Sequence, residues 1–394
     1  MRRFKYVIVG GGMTAAAAVH GAREVDARGA IALISVEPHP PYNRPPLSKA
    51  LWKGDAESTV WRTADVAGAE LLLDRRITAL DAAAKRLTDD RGETYQYERL
   101  LLATGGAPRR LPPPAADGIV YFRTLDDYRR LRAAADARRR FAVIGGGFIG
   151  SEVAAALRLQ GCEVAMVIPE AGIGARVFPA DLAAHLAEFY RGKGVDVRTG
   201  EGVAAATARG AGIGITTTLT HEIAADVVVA GLGIIPSVEL AQQAGLSIDN
   251  GIVVDELLRT IRAEIFAAGD VAAFPSAALG RRVRVEHEDN ANAQGRAAGR
   301  NMAGAGEPYR HLPFFYGDLF ELGYEAVGDL DARLETVADW REPFREGVIY
   351  YLKDGRVRGV LLWNTWNQVD HARALIAERG PFTAATLQGR LPAA

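Results

Sequence analysis

The chain has one cysteine, Cys162, among 394 residues. A single cysteine excludes an intramolecular disulfide and an iron–sulfur cluster ligated by the cysteines of this chain alone. It excludes a dithiol relay for the same reason. Histidine is scarce too: the seven present are scattered, with none at the helical spacing of metal ligands, so no metal site is expected. No uninterrupted apolar run is long enough to span a bilayer. Neither sign of charge is in excess, since 47 Lys and Arg face 48 Asp and Glu for a net charge of −1. That balance argues against a dedicated nucleic-acid binder. The local basic runs Arg138-Arg-Arg140 and Arg281-Arg-Val-Arg284 read as solvated faces or anion contacts. The first apolar strand starts at Tyr6 and leaves no room for a targeting peptide, so a cytoplasmic protein is the expectation.

What is present is glycine at two organised places. The first is Tyr6-Val-Ile-Val-Gly10-Gly-Gly12-Met-Thr14-Ala15 and the second is Phe141-Ala-Val-Ile-Gly145-Gly-Gly147-Phe148-Ile149-Gly150. Each follows a short apolar run that reads as a buried parallel strand, and each opens a segment with helical character. That context suits a dinucleotide: a tight turn, a backbone close to the pyrophosphate, and a helix N-terminus facing the anion. Two such sites in one chain imply two bound dinucleotides and electron transfer between them.

The two halves repeat one sequence of elements. An apolar strand and glycine turn follow each fingerprint, Leu100-Leu-Leu-Ala-Thr104-Gly105-Gly106 and Val227-Val-Val-Ala-Gly231-Leu-Gly233. The first acidic residue past a second strand is Glu37, after Ile31–Val36, and it fits a ribose acceptor. In the second half Glu163 precedes its strand and Glu170 follows it, so Glu170 is the better ribose ligand. A carboxylate there repels a 2′-phosphate and favours NADH over NADPH, with Arg176 close enough to blur the preference. The segment Thr260 to Asp270 returns to the first domain, where Asp270 can accept from a ribityl chain. FAD is therefore expected in the first domain and NADH in the second.

The fold class is α/β: two Rossmann-like, glutathione-reductase-type dinucleotide-binding domains, then a small α+β C-terminal domain. The expected boundaries are residues 1–112 and 241–312 for the FAD domain, 113–240 for the NAD(H) domain, and 313–394 for the last. Short aromatic and branched runs from Phe314 to Trp363 read as antiparallel strands, with Trp363 and Trp366 in their core.

These motifs resemble the FAD-dependent pyridine-nucleotide reductases, and most of all the apoptosis-inducing-factor branch, close to the oxygenase-coupled ferredoxin and rubredoxin reductases. The specific parts are Pro41-Tyr-Asn-Arg44-Pro-Pro-Leu-Ser-Lys49, Gly145 to Glu152, Ile168-Pro-Glu-Ala-Gly172, Val285-Glu286-His287, Gly323 to Gly328 and Leu362 to Asn367. The resemblance implies that Lys49 lies beside the flavin and pairs with Glu152. It implies that Arg44 and Arg123 contact FAD phosphates or the adenosine end. Phe148 would cover the flavin until nicotinamide displaces it, and His287 and Tyr316 would flank the ring, with Tyr316 standing where tryptophan is commoner. A cation at Lys49 suits an anionic reduced flavin, since the cofactors supply reactivity and the protein supplies position and charge.

The expected function is an FAD-containing NADH:acceptor oxidoreductase that forms a flavin–nicotinamide charge-transfer complex. The acceptor is left open as a quinone, a small molecule or a redox protein. Two other readings stand beside it: an NADH-dependent ferredoxin or rubredoxin reductase, and an NADH-responsive redox sensor whose oligomeric state, a homodimer among the options, follows reduction.

Overall fold

The computed structural model describes residues 1–391. The chain divides into two compact units. The first comprises Met1–Arg44, Glu57–Ala107 and Ile235–Pro313. The second comprises Pro45–Ala56, Pro108–Ile234 and the chain from Phe314 onward. The proline-rich loop is thus split between them, with Arg44 in the first unit and Lys49 in the second.

In the first unit the strands Glu70–Leu72, Ile31–Ile34, Arg2–Val9 and Thr94–Leu102 lie side by side. They pair in parallel, with Tyr6 opposite Ile31 and Arg99. Ile265–Ala267 joins on the far side of Thr94–Leu102, also parallel. Arg86–Asp89 and Ile77–Asp81 extend the sheet as an antiparallel edge. Tyr6 to Val9, Ile31 to Ile34 and Leu100 to Leu102 are all buried. Continuous apolar runs are what a strand covered on both faces requires. The helices Met13–Val25 and Glu288–Met302 pack against each other.

The second unit repeats the pattern. Asp196–Thr199, Val164–Ile168, Phe141–Ile144, Val227–Ala230 and Val120–Tyr121 form a parallel sheet in that order. The antiparallel strands Val203–Arg209, Gly212–Thr217 and Glu222–Ala225 add a side layer. Ile144, Val167, Ile215 and Val228 form part of the core between them. The C-terminal part is a five-stranded antiparallel sheet: Phe314–Leu319, Leu322–Gly328, Arg356–Trp363, Glu346–Lys353 and Glu335–Glu342. It is tied to the rest of its unit by Tyr351, whose hydroxyl donates to the Val177 carbonyl at 2.7 Å, and by the Lys193–Glu321 ion pair at 2.6 Å.

Trp363 is fully buried, as expected, but Trp366 is 42% exposed. Trp366 follows the left-handed turn at Asn364 and precedes another at Asn367, which carry it out of the strand. Cys162 is buried, its Sγ lies 3.7 Å from the Ala135 carbonyl, and burial pushes its thiol up. No helix among the described residues is long and apolar enough to cross a membrane.

Candidate functional site

The first fingerprint makes a cradle in the first unit. Gly10 takes φ of +132°, and a Cβ there would lie 2.1 Å from the Ala103 carbonyl oxygen. Only glycine permits both the conformation and the approach. Gly12 is the N-cap of the Met13–Val25 helix, with no side-chain cap and no acidic residue in the first turn. The free N–H groups and the positive end of the dipole are thus left for an anion. Thr14 and Ala15 follow on the buried face of that helix.

Glu37 stands just past its strand, half-buried. It accepts from the Arg44 guanidinium and from the Tyr42 hydroxyl, the latter at 2.5 Å. Arg44 also feels the charge of Asp270. Asp270 lies in the Gly269–Val271 turn, and its carbonyl accepts from Arg284 at 3.1 Å. Arg284 also pairs with Glu286 at 2.7 Å. His287 is the N-cap of the Glu288–Met302 helix, and burial pushes its imidazole down to about 4, against the pull of Asp270 and Asp289. Thr104 donates to the Ser237 carbonyl at 2.7 Å, and Gly105 adopts φ of +62°. Arg44, Glu37, Asp270 and His287 thus gather round one cradle whose shape and charge fit the phosphates and hydroxyls of a dinucleotide.

Arg282 and Arg284 correct the reading of their basic run as a solvated face. Arg282 donates to the carbonyls of Val254 and Ala273 at 2.7 and 2.5 Å, and Arg284 is only 9% exposed at its side chain. Arg282 is held by backbone oxygens, and Arg284 by the Asp270 carbonyl and Glu286, so both brace the unit from within, with the Arg284 Nε buried and without a partner among the described residues.

The second fingerprint repeats the turn in the second unit. Gly145 takes φ of +104°, and a Cβ there would meet the Gly231 carbonyl oxygen at 2.5 Å. Gly147 caps the Phe148–Leu159 helix, again with no acidic residue in the first turn. Gly150 is buried and Ile149 exposed. Glu170 lies two residues beyond the Val164–Ile168 strand, and Arg176 binds it at 2.6 Å from an exposed position. Gly233, at φ of +80°, follows the Val227–Ala230 strand. Arg123 precedes the capping box at Thr124, and its N–H donates to Asp127 at 3.0 Å. It belongs to the second unit.

Glu152 is the fifth residue of its helix, so the dipole at the helix start is not what holds it. It is buried and is met by two donors: Ser48 Oγ and Lys49 Nζ, each 2.7 Å from Oε2. Burial raises the Glu152 carboxyl, and Lys49 and then Ser48 oppose that rise. Lys49 Nζ also lies 5.2 Å from the centroid of the Tyr316 ring, a cation–π contact. Phe148 is half-buried, its ring 5.1 Å from Phe315 and 6.5 Å from Tyr324. Tyr324 in turn stacks on Trp363 at 5.8 Å with the planes 2° apart.

Lys49, Glu152, Phe148 and Tyr316 therefore belong to one constellation in the second unit, while His287, Glu286 and Asp270 belong to the first. Sequence reasoning missed Ser48, Phe315, Tyr324 and Arg284. Ser48 stands beside Lys49 in a motif already singled out, and that adjacency was the available signal. Among the described residues no group of three or more His, Cys, Asp or Glu could hold a metal ion.

Comparisons with known proteins identify the family. Residues 4–295 match the model of the pyridine nucleotide-disulphide oxidoreductase family. Residues 298–343 and 338–378 match that of the C-terminal domain of mitochondrion-associated apoptosis-inducing factor. The chain is 38% identical over 382 residues to the anthranilate 1,2-dioxygenase system ferredoxin–NAD(+) reductase component of Burkholderia cepacia, covering 94% of each. It is 33% identical to mitochondrial apoptosis-inducing factor 1 of Dictyostelium discoideum, covering 96% of this chain and 79% of that one. The reductase in the crystal structure of the covalent putidaredoxin reductase–putidaredoxin complex superposes with a TM-score of 0.90 at 31% identity, over 98% of this chain and 96% of the other. The chain belongs to the FAD-dependent pyridine-nucleotide oxidoreductases, in the branch that carries the apoptosis-inducing-factor type of C-terminal domain, and is an NAD(P)H oxidoreductase that hands electrons to an external acceptor.

Proposed function

We propose that the protein takes hydride from NADH and delivers electrons to a small redox protein of the ferredoxin class. The observation that carries the reading is the buried Lys49–Glu152 pair beside Phe148 and Tyr316. The names of two relatives, one a ferredoxin–NAD(+) reductase and one solved bound to putidaredoxin, point to the partner class. With one buried cysteine, the chain has no dithiol of its own to accept electrons. The site of action is the cytoplasm.

FAD, when bound, accepts a hydride and gives electrons up one at a time. The chain's residues supply position and charge. Gly10, Gly12, Thr14, Ala15, Glu37, Arg44, Thr104, Gly105, Asp270, Glu286 and His287 hold the FAD, with Arg123 as a further contact. Gly145, Gly147, Ile149, Gly150, Arg176 and Gly233 hold NADH, and Glu170 accepts from its ribose. Lys49 places a positive charge at the redox centre, and Glu152 fixes that charge and offers Oε1 to the nicotinamide amide. Phe148 and Tyr316 wall the site against water, which strengthens each of these interactions.

Anaerobic mixing with NADH should bleach the flavin in the stopped-flow, and a ferredoxin should then restore its colour at a rate that falls with salt. No bleaching overturns the reading. The match to the apoptosis-inducing-factor C-terminal domain favours one alternative, a redox sensor. A long-wavelength band that persists in air, with dimerisation on reduction, would select it.

A further inference from the structure

Glu152 receives both of its hydrogen bonds on Oε2, from Ser48 and Lys49. An ammonium can only donate, whereas a hydroxyl donates one hydrogen and accepts through its lone pairs. Ser48 has a second neighbour that can only accept: the Pro45 carbonyl, 3.4 Å from Oγ. The single hydroxyl hydrogen therefore has two destinations. When Glu152 is ionised, the hydrogen points to Oε2. When Glu152 carries a proton, Oε2–H can donate to Ser48 Oγ while the hydroxyl hydrogen turns to Pro45. No heavy atom has to move.

We infer that Ser48 is a positioning residue: its hydroxyl stays in contact with Glu152 in both charge states but donates better to the ionised one, 2.7 Å away, than to the Pro45 carbonyl at 3.4 Å, and so extends to lower pH the range over which the Lys49–Glu152 pair is intact. The inference rests on the reading of Lys49 and Glu152 as the redox end of the site. The charged and titratable groups that bear on Glu152 among the described residues come from three elements, with Tyr316 set against Lys49. The loop supplies Ser48 and Lys49. The Ala180–Gly192 helix supplies Tyr190, whose hydroxyl donates elsewhere, to the Ser151 carbonyl at 3.1 Å. The C-terminal sheet supplies Tyr324 and Asp318. Burial holds both phenols neutral, and Asp318 is paired with Lys53 at 2.5 Å. Burial and Asp318 push the carboxyl up; Lys49 and Ser48 pull it down. Removing the Ser48 hydroxyl takes away one of the two groups that favour the ionised form.

The test uses the FAD-loaded full chain and two variants, Ser48→Ala and Ser48→Thr. The first readout is the pH profile of flavin bleaching by NADH. The second needs no NADH: the infrared carbonyl band of a protonated carboxyl, followed against pH in protein labelled with carbon-13 glutamate, with Glu152→Gln to assign it. Ser48→Ala should move both transitions upward by about one pH unit, tenfold in the proton equilibrium. Ser48→Thr, which keeps the hydroxyl, should restore both. Unmoved transitions in Ser48→Ala, or a threonine that restores neither, overturn the inference. A carboxyl band that shifts in a protein NADH never bleaches overturns the redox assignment and leaves the Ser48–Glu152 coupling standing.

Discussion

The two fingerprints use the same turn but close it differently. In both, a glycine at positive φ lies against a carbonyl of a neighbouring loop, Ala103 in the first and Gly231 in the second. Past the second strand of each comes a carboxylate. Glu37 is clasped by Arg44 and Tyr42, and all three are half-buried or buried. Glu170 has Arg176, whose side chain is 83% exposed. An exposed ion pair contributes little and is screened by salt, whereas a half-buried network holds its geometry. On the proposed assignment, the first site suits a nucleotide that stays and the second one that arrives and leaves.

The largest way to break this contrast is at the glycines. Gly10→Ala should abolish FAD retention, because the new Cβ meets backbone at 2.1 Å in a conformation that alanine avoids. Gly145→Ala, at 2.5 Å from backbone, should spare FAD and lose reduction by NADH. Flavin absorbance of the purified proteins and anaerobic NADH titration check both. If Gly145→Ala loses FAD as well, the two sites are not separable.

Lys49→Ala leaves the buried Glu152 without its ion partner. Flavin reduction should slow at least about tenfold, and stability should fall by about 3 kcal/mol, the range for breaking a buried pair. Stopped-flow and denaturant unfolding give the two numbers separately. Normal reduction in a stable variant would remove Lys49 from the chemistry.

His287 sharpens the comparison through pH. Its folded imidazole titrates near 4, below the ordinary 6.5, because burial disfavours the charged ring. On acidification the unfolded chain takes up the proton first. Its contribution is therefore full above pH 6.5 and is lost as pH falls toward 4, by at most about 3 kcal/mol. Unfolding of wild type and His287→Gln between those limits should converge; parallel curves would place the titration elsewhere.

The smallest effects belong to the open pair. Glu170→Ala should weaken the preference for NADH over NADPH by about tenfold in kcat/KM, the worth of about one charge-assisted hydrogen bond. Arg176→Ala should cost less than about 1 kcal/mol of stability, since the pair is exposed. An unchanged preference in Glu170→Ala would mean that another residue reads the ribose.

Much of this was legible before any coordinates. Strand, glycine turn and helix follow from local pattern, so both fingerprints and the parallel strands around Tyr6 and Phe141 could be read directly. Less legible was whatever depends on a distant partner. Ser48 reads as a loop serine until Glu152, 104 positions away, is seen to accept from it. Arg284 reads as part of a surface run until the Asp270 carbonyl and Glu286 are seen to hold it. Trp366 resembles its buried neighbour Trp363 in composition alone; the left-handed backbone at Asn364 and Asn367 separates them.

The lone thiol has a practical consequence. Cys162 is buried and poorly ionised, so thiol-directed reagents should pass it by in the folded protein. The wild-type chain then serves as its own unreactive background. A cysteine introduced at an exposed position such as Ile235, or in place of Trp366, would be the one group a maleimide dye or spin label attaches to. Probes could be placed on either unit without first removing native thiols, and distances between them followed while NADH is added.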